Sequence, residues 1–258
     1  MKLPKKLSKT IVALIIGLGV YIGAGSFFNH IQMNALFDKT TSSHFDINKE
    51  TFETILDNTQ EITLERKIFS PFKKYYYILI DDVVIGSVTG EFMPLFGDVL
   101  TMSDLNGNII KKEYQVKKIG PTYGKLFNLS LDRLAVIKDS KGNKTSYIGE
   151  EKLNDLLKPQ NWFHHVQYFY NSEFDKIGKA KPKFFILSKD YKIFDMQNNI
   201  DYIIDGNIFS LVSKAKITVN DDTEISKEDA IFYTIIENYI KESSKSSSSK
   251  KTSSTERK

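Results

Sequence analysis

The sequence predicts a mainly β protein: a closed antiparallel barrel of about twelve strands around a C-terminal apolar helix, with an N-terminal transmembrane helix. Three observations predict it. About a dozen short β-type runs, separated by Asp-x-x-Gly-type turns, fill the chain from Ile62 onward. Their spacing leaves no room for the helical crossovers of a parallel sheet, so the strands form an antiparallel meander. One stretch after them, residues 226–240, repeats apolar residues at helical spacing, with an apolar side so wide that it must be buried. A sheet closed around that helix satisfies the strand edges and the helix together.

The chain opens with Lys2, Lys5, Lys6 and Lys9, followed by an uncharged run from Ile11 to Phe28. That run is just long enough to cross a bilayer as a helix, and the lysines place the N-terminus in the cytoplasm. This reading makes residues 1–9 a basic cytoplasmic segment and residues 10–28 an uncleaved signal-anchor. The rest then lies outside the cytoplasmic membrane of a single-pass protein, in a bacterial envelope. A cleaved signal peptide is the rival reading, because Gly23, Ala24, Gly25 and Ser26 offer a cleavage site. Gly19 and Gly23 have the spacing that lets two spanning helices approach closely.

Residues 29–60 read as a polar spacer with one helix. Asn48 can cap it, Ile47 and Phe52 sit at hydrophobic-staple positions, and Ile55 and Leu56 continue the face. It reads as a stalk resting on the domain that follows, residues 61–241.

Within that domain Tyr75–Ile80 and Val83–Ile85 flank Asp81-Asp82. The run 98–104 leads through Asn106-Gly107 into Ile109 and Ile110, a strong hairpin signal. Residues 134–137 turn through Asp139 to Gly142. Tyr202 to Ile204 are expected to turn at Asp205-Gly206 and return through residues 208–212. A helical insertion is expected from Glu150 to Leu157, ended by Lys158-Pro159. In the terminal helix Ser226 and Asp229 make a capping-box start. Ile231, Phe232, Ile235, Ile236, Tyr239 and Ile240 form its apolar side, and Thr234, Glu237, Asn238 and Lys241 a narrower polar edge. Residues 242–258 form a disordered Lys/Ser tail.

Composition bounds the chemistry. Of 258 residues, 41% are hydrophobic, with 18 Phe and 13 Tyr, which supplies a real core. Without cysteine there are no disulfides, thiolate metal sites or cysteine nucleophiles. The net charge of +4 is uneven: the first nine residues carry +4 and residues 241–258 another +4, leaving −4 for residues 10–240. An acidic body disfavours nucleic acid as a partner of the folded domain.

The stretch Gly90-Glu-Phe-Met-Pro-Leu-Phe-Gly-Asp-Val-Leu-Thr-Met-Ser-Asp-Leu-Asn-Gly-Asn108 resembles the second hairpin of LURP-one-related proteins. These share the tubby C-terminal-like fold with phospholipid scramblases. Residues 64–70 and 77–88 are similar to the opening strands of that family. The resemblance runs from about Ile62 to Ile240 and is looser between Gly120 and Lys183. It implies a twelve-stranded barrel around a central helix and assigns no catalytic residue. Tubby relatives bind phosphoinositide headgroups, but no headgroup motif of theirs maps residue by residue onto this chain.

The candidate chemistry is sparse. His164 and His165 are neighbours, and on a strand they would face opposite sides, unable to ligate one metal together. Asp104 to Asn108 lacks the terminal bidentate Glu of a calcium loop and reads as a hairpin turn. Asp81-Asp82 and Asp221-Asp222 read likewise. There is no Gly-x-Ser-x-Gly, and Ser130 and Asp132 have no partner histidine implied by sequence. No cofactor, metal or catalytic residue is assigned. The candidate contacts to an anion or lipid are Lys73, Lys74, Lys111, Lys112, Lys117, Lys118, Lys179, Lys181 and Lys183, provided the strands bring them to one rim. The expected function is a non-enzymatic, membrane-anchored binding module for anionic lipid, an envelope polymer or a protein partner. The alternatives are a structural docking component of a membrane complex and a His-dependent hydrolase.

Overall fold

A computed structural model describes residues 16–17, 19–20, 23–24, 26–28, 31, 48–67, 74–93, 97–117, 131–151, 166–180, 191–207, 214–220 and 223–238. After helix α1 (Lys49–Asn58) come twelve strands. They are β1 (Glu61–Arg66), β2 (Lys74–Ile80), β3 (Val83–Met93), β4 (Gly97–Asp104), β5 (Ile109–Lys117) and β6 (Leu131–Asp139). The second half is β7 (Lys144–Glu151), β8 (Gln167–Tyr170), β9 (Lys176–Ala180), β10 (Tyr191–Asp195), β11 (Ile200–Asn207) and β12 (Lys214–Val219). Helix α2 follows over residues 227–238. Every strand is antiparallel to the next, and β1 pairs with β12 from Glu61↔Thr218 to Glu65↔Lys214, closing the barrel.

Strand alternation puts the turns after β2, β4, β6, β8 and β10 at one end, together with α1 and the start of α2. Four of these turns share one design. Asp104, Asp139, Asn171 and Asp195 each accept from the backbone N–H four residues on, at 2.7–2.8 Å. The residue before that donor has positive φ: Gly107 (84°), Gly142 (89°), Phe174 (70°) and Asn198 (76°). Glycine and Asn tolerate this conformation, whereas Phe174 must be held in it. The fifth turn is the Asp81-Asp82 pair, both at positive φ (50° and 64°), as a two-residue hairpin requires.

Helix α2 is enclosed by the barrel. Ile231, Phe232, Tyr233 and Ile235 share one core with lumen-facing Ile62, Ile78, Leu100, Ile137, Phe169, Ile193 and Ile217. The Tyr233 ring stands edge-on to Phe169 (5.5 Å) and Tyr191 (6.2 Å). Ser226 caps the helix, its Oγ accepting from the Asp229 N–H at 3.2 Å. Gly178 leaves room for Ile225 at the helix entrance: a Cβ there would collide with Ile225 Cδ1 and come within 2.7 Å of the Phe194 carbonyl oxygen.

Helix α1 begins as the sequence predicts, Asn48 Oδ1 accepting from Thr51 N–H at 3.0 Å. It is more than a stalk. Phe52 and Leu56 are wholly buried in the barrel core, and Lys49 Nζ donates to Ser140 Oγ at 2.7 Å. The packed unit therefore includes α1 as well as the strands.

Three expectations are corrected. Asp205-Gly206 does not turn: both residues continue β11, opposite Lys216 and Ala215. The ladder to β12 overrides the local turn preference. Glu150 and Glu151 are not helical but complete β7, with Glu150 opposite Gln167, and residues 152–157 lie outside the described residues. The expected polar edge of α2 is not solvent-facing at its described residues: Thr234, Glu237 and Asn238 are all buried, and Lys241 lies outside the described residues. Of the anchor expected over residues 10–28, the described positions are helical and leave Ile16 (60%), Val20 (67%), Phe27 (63%) and Phe28 (52%) exposed. Among the described residues no helix is long and apolar enough to cross a membrane. The remainder of that segment and the 242–258 tail lie outside the described residues.

Candidate functional site

The lumen is occupied by side chains, and its polar groups hold α2 in place. Lys111 points inward from β5, with Nζ 3.2 Å from Glu228 Oε1 and 3.5 Å from Ser226 Oγ. Glu237 accepts a hydrogen bond from the side-chain amide of Gln167 of β8. Asp229 is fully buried. Burial raises its carboxyl above the ordinary 3.8, against the opposing pull of Lys111 and of the Ser146 and Ser226 hydroxyls, while Glu228 adds to the rise. The Lys111 and Gln167 contacts tie the helix to β5 and β8. Among the described residues no three His, Cys, Asp or Glu side chains are grouped to hold a metal ion.

The nine candidate lysines divide by end and by face. Lys111 and Lys112 begin β5 at the hairpin-turn end, one facing inward and the other outward. Lys74, Lys117 and Lys179 sit at or next to strand ends on the opposite rim. Lys73, Lys118, Lys181 and Lys183 fall outside the described residues, as do His164, His165, Ser130 and Asp221-Asp222. The connections that leave the opposite rim (residues 68–73, 94–96, 118–130, 152–165, 181–190 and 208–213) are lysine-rich in sequence. They contain Lys73, Lys118, Lys125, Lys152, Lys158, Lys181, Lys183 and Lys189, against Asp155 and Asp190.

The described surface carries a second lysine arrangement, one that the sequence reading missed. Lys112 of β5 lies directly opposite Lys138 of β6, and Lys138 directly opposite Lys144 of β7. Lys112 and Lys138 face outward, because their strand neighbours Glu113 and Ile137 are buried in the lumen, and Lys144, opposite Lys138, is exposed. Like charges directly opposite on neighbouring strands repel. The row continues in register through Thr101 of β4 and Thr89 of β3. One pleat further from the turns runs a second outer row: Val99, Tyr114, Val136, Tyr147 and Tyr170. Lys138 Nζ lies 5.1 Å from the Tyr114 ring centre, a cation–π contact, and Phe174 stacks on Tyr170 at 4.6 Å. The carboxylate next to Lys138 in the chain, Asp139, is committed to the turn. It accepts from Asn143 Nδ2 at 2.9 Å, which draws its carboxyl below the ordinary range and keeps it ionised. The signal available in sequence was modest: Lys138 and Lys144 flank one Asp-x-x-Gly-Asn turn, but Lys112 joins them only through the β5–β6 register.

Family models, curated proteins and solved structures provide no match for this chain.

Proposed function

We propose that the chain is a non-enzymatic, membrane-anchored binding module for an anionic partner, of the LURP-one-related, tubby C-terminal-like kind. The observation that carries this reading is the outward row Lys112↔Lys138↔Lys144, three like charges in direct opposition that a bound anion would neutralise. Lysines at the opposite rim and in the basic tail add attraction over a longer range. The enclosed α2 fills the lumen, so partners are met on the outside. Support for the anchor comes from the uncharged run Ile11–Phe28 behind four lysines and from the exposure of Ile16, Val20, Phe27 and Phe28. Support for the family comes from a twelve-stranded barrel around a terminal helix, the architecture the resemblance implies.

A docking role in a membrane complex is favoured by one feature, the half-buried Val99, Tyr114, Val136 and Tyr147 beside the lysines. The test is binding of the full chain, in detergent or nanodiscs, to anionic and neutral vesicles and to soluble polyanions at several salt concentrations. Salt-sensitive binding to an anionic probe, weakened by Lys138→Glu with Lys144→Glu, is the expected result. Binding indifferent to salt and to both substitutions would replace the anionic partner with a protein docked through the tyrosine row.

A further inference from the structure

We infer that the Lys112–Lys138–Lys144 row is a strip for a linear, phosphate-bearing polymer laid across β3 to β7, rather than a seat for a single headgroup. The inference rests on the anion-binding reading above and names the kind of anion.

The outside of a closed barrel is convex, so a compact anion there meets lysines on one side only. A linear polyanion meets them in sequence. Neighbouring strands lie about 4.8 Å apart, so the three lysines span roughly 10 Å and the row from Thr89 to Lys144 roughly 19 Å. That exceeds one phosphate group and suits a chain of them. The two half-buried threonines extend the strip with hydroxyl donors beyond the last charge. On the flank, Tyr114, Val136 and Tyr147 offer an apolar margin for the units linking successive phosphates. Lys138 already occupies one face of Tyr114, which favours a slender chain over stacked bases. The acidic average of residues 10–240 likewise opposes wrapping by nucleic acid.

The test uses the full chain with long-chain inorganic polyphosphate, tripolyphosphate, orthophosphate, phosphatidylglycerol vesicles and single-stranded DNA. The expected result is affinity that rises with phosphate chain length. Replacing Lys112, Lys138 and Lys144 together by Ser should weaken long-chain binding by about tenfold, as three ionic contacts on the outer face allow. The slope of log affinity against log salt should shrink by about 2. Lys144→Ser alone, at an exposed position, carries a smaller loss and guards against misfolding of the triple variant. Three outcomes overturn the strip: equal affinity for tripolyphosphate and the long chain, vesicle binding through these lysines without polyphosphate binding, or a preference for DNA. Each leaves anion binding standing. If the triple variant matches the parent on every probe, anion binding by the row fails as well.

Discussion

Lys227 Nζ, in the first turn of α2, donates to the Leu56 carbonyl at the end of α1 at 3.0 Å. The same ammonium reaches the Asp57 and Thr59 carbonyls, both at 2.6 Å. Carbonyls at a helix C-terminus lack intrahelical donors and carry the negative end of the helix dipole. One ammonium thus caps the end of α1, adding to the Thr59 N–H already on the Leu56 carbonyl, and ties α1 to α2.

Lys227→Met keeps most of the side-chain volume and removes the charge. It should cost about 1–3 kcal/mol, the range for hydrogen bonds to a charged donor. Deleting residues 1–47 should leave the barrel's melting temperature nearly unchanged. Deleting residues 1–60 removes Phe52 and Leu56 from the core and should prevent folding. Thermal melts followed by circular dichroism check all three, and a stable 61–258 fragment would refute the integral role of α1.

Glu237 separates a buried helix from an amphipathic one. Its partner Gln167 is inside the barrel, so Glu237→Lys buries an ammonium and abandons that amide, at a cost of about 3–5 kcal/mol. Glu237→Gln, which retains hydrogen-bonding groups, should cost about 1 kcal/mol. Ile235→Asp, placing a carboxylate in the apolar core, should abolish folding. Urea titrations rank the three, and a neutral Glu237→Lys would contradict the enclosed helix.

Asp229 and Asp139 should give opposite pH signatures. Burial raises the Asp229 carboxyl above 3.8, so the native state binds its proton more tightly than the unfolded chain. The stability linked to that proton is complete below 3.8 and is lost as pH rises through the higher native value. Relative to Asp229→Asn, the parent should weaken over that window and then level off. Asp139 is lowered by its bonds to Asn143, so its contribution is present above 3.8 and fades as pH falls through the native value. Denaturant melts of both Asn variants across acidic pH test the signs, and a pH-independent difference at Asp229 would refute the linkage.

Gly86 marks where α1 enters the sheet. A Cβ there would lie 2.6 Å from the Ser103 backbone oxygen and 2.7 Å from the Phe52 ring. The carbonyl cannot swing away without breaking the β3–β4 ladder. Gly86→Ala should therefore cost about 1–3 kcal/mol. Pairing it with Phe52→Leu should recover part of that loss if the ring is the softer obstacle, as a double-mutant cycle by thermal melting will show.

Local chemistry accounts for what the sequence made legible. The Asp104-to-Asn108 and Asp139-to-Asn143 turns carry their own hydrogen bonds and a glycine at the positive-φ position, so they announce themselves without tertiary context. Residues 226–240 signal a helix by period alone. Context defeats the same rules elsewhere. Asp205-Gly206 has turn composition, yet β12 supplies a continuous ladder, and Thr234, Glu237 and Asn238 look solvent-facing until strands enclose them. The lysine row is least visible, since register is a property of three strands and not of any one.

Because α2 follows β12 in the chain, the barrel's filling is made after its walls. Ten of the eleven ladders between consecutive strands, β1–β2 through β10–β11, can zip up while the chain is still emerging. The β1–β12 seam and the helix cannot, because both need the C-terminal part of the chain. Until then Ile62, Ile78, Ile137 and Ile217 face an empty trough with open edges, a form prone to association. The late, long-range closing step should limit the folding rate. A chain stopped before residue 226 would keep every strand and still lack the residues that make the sheet close.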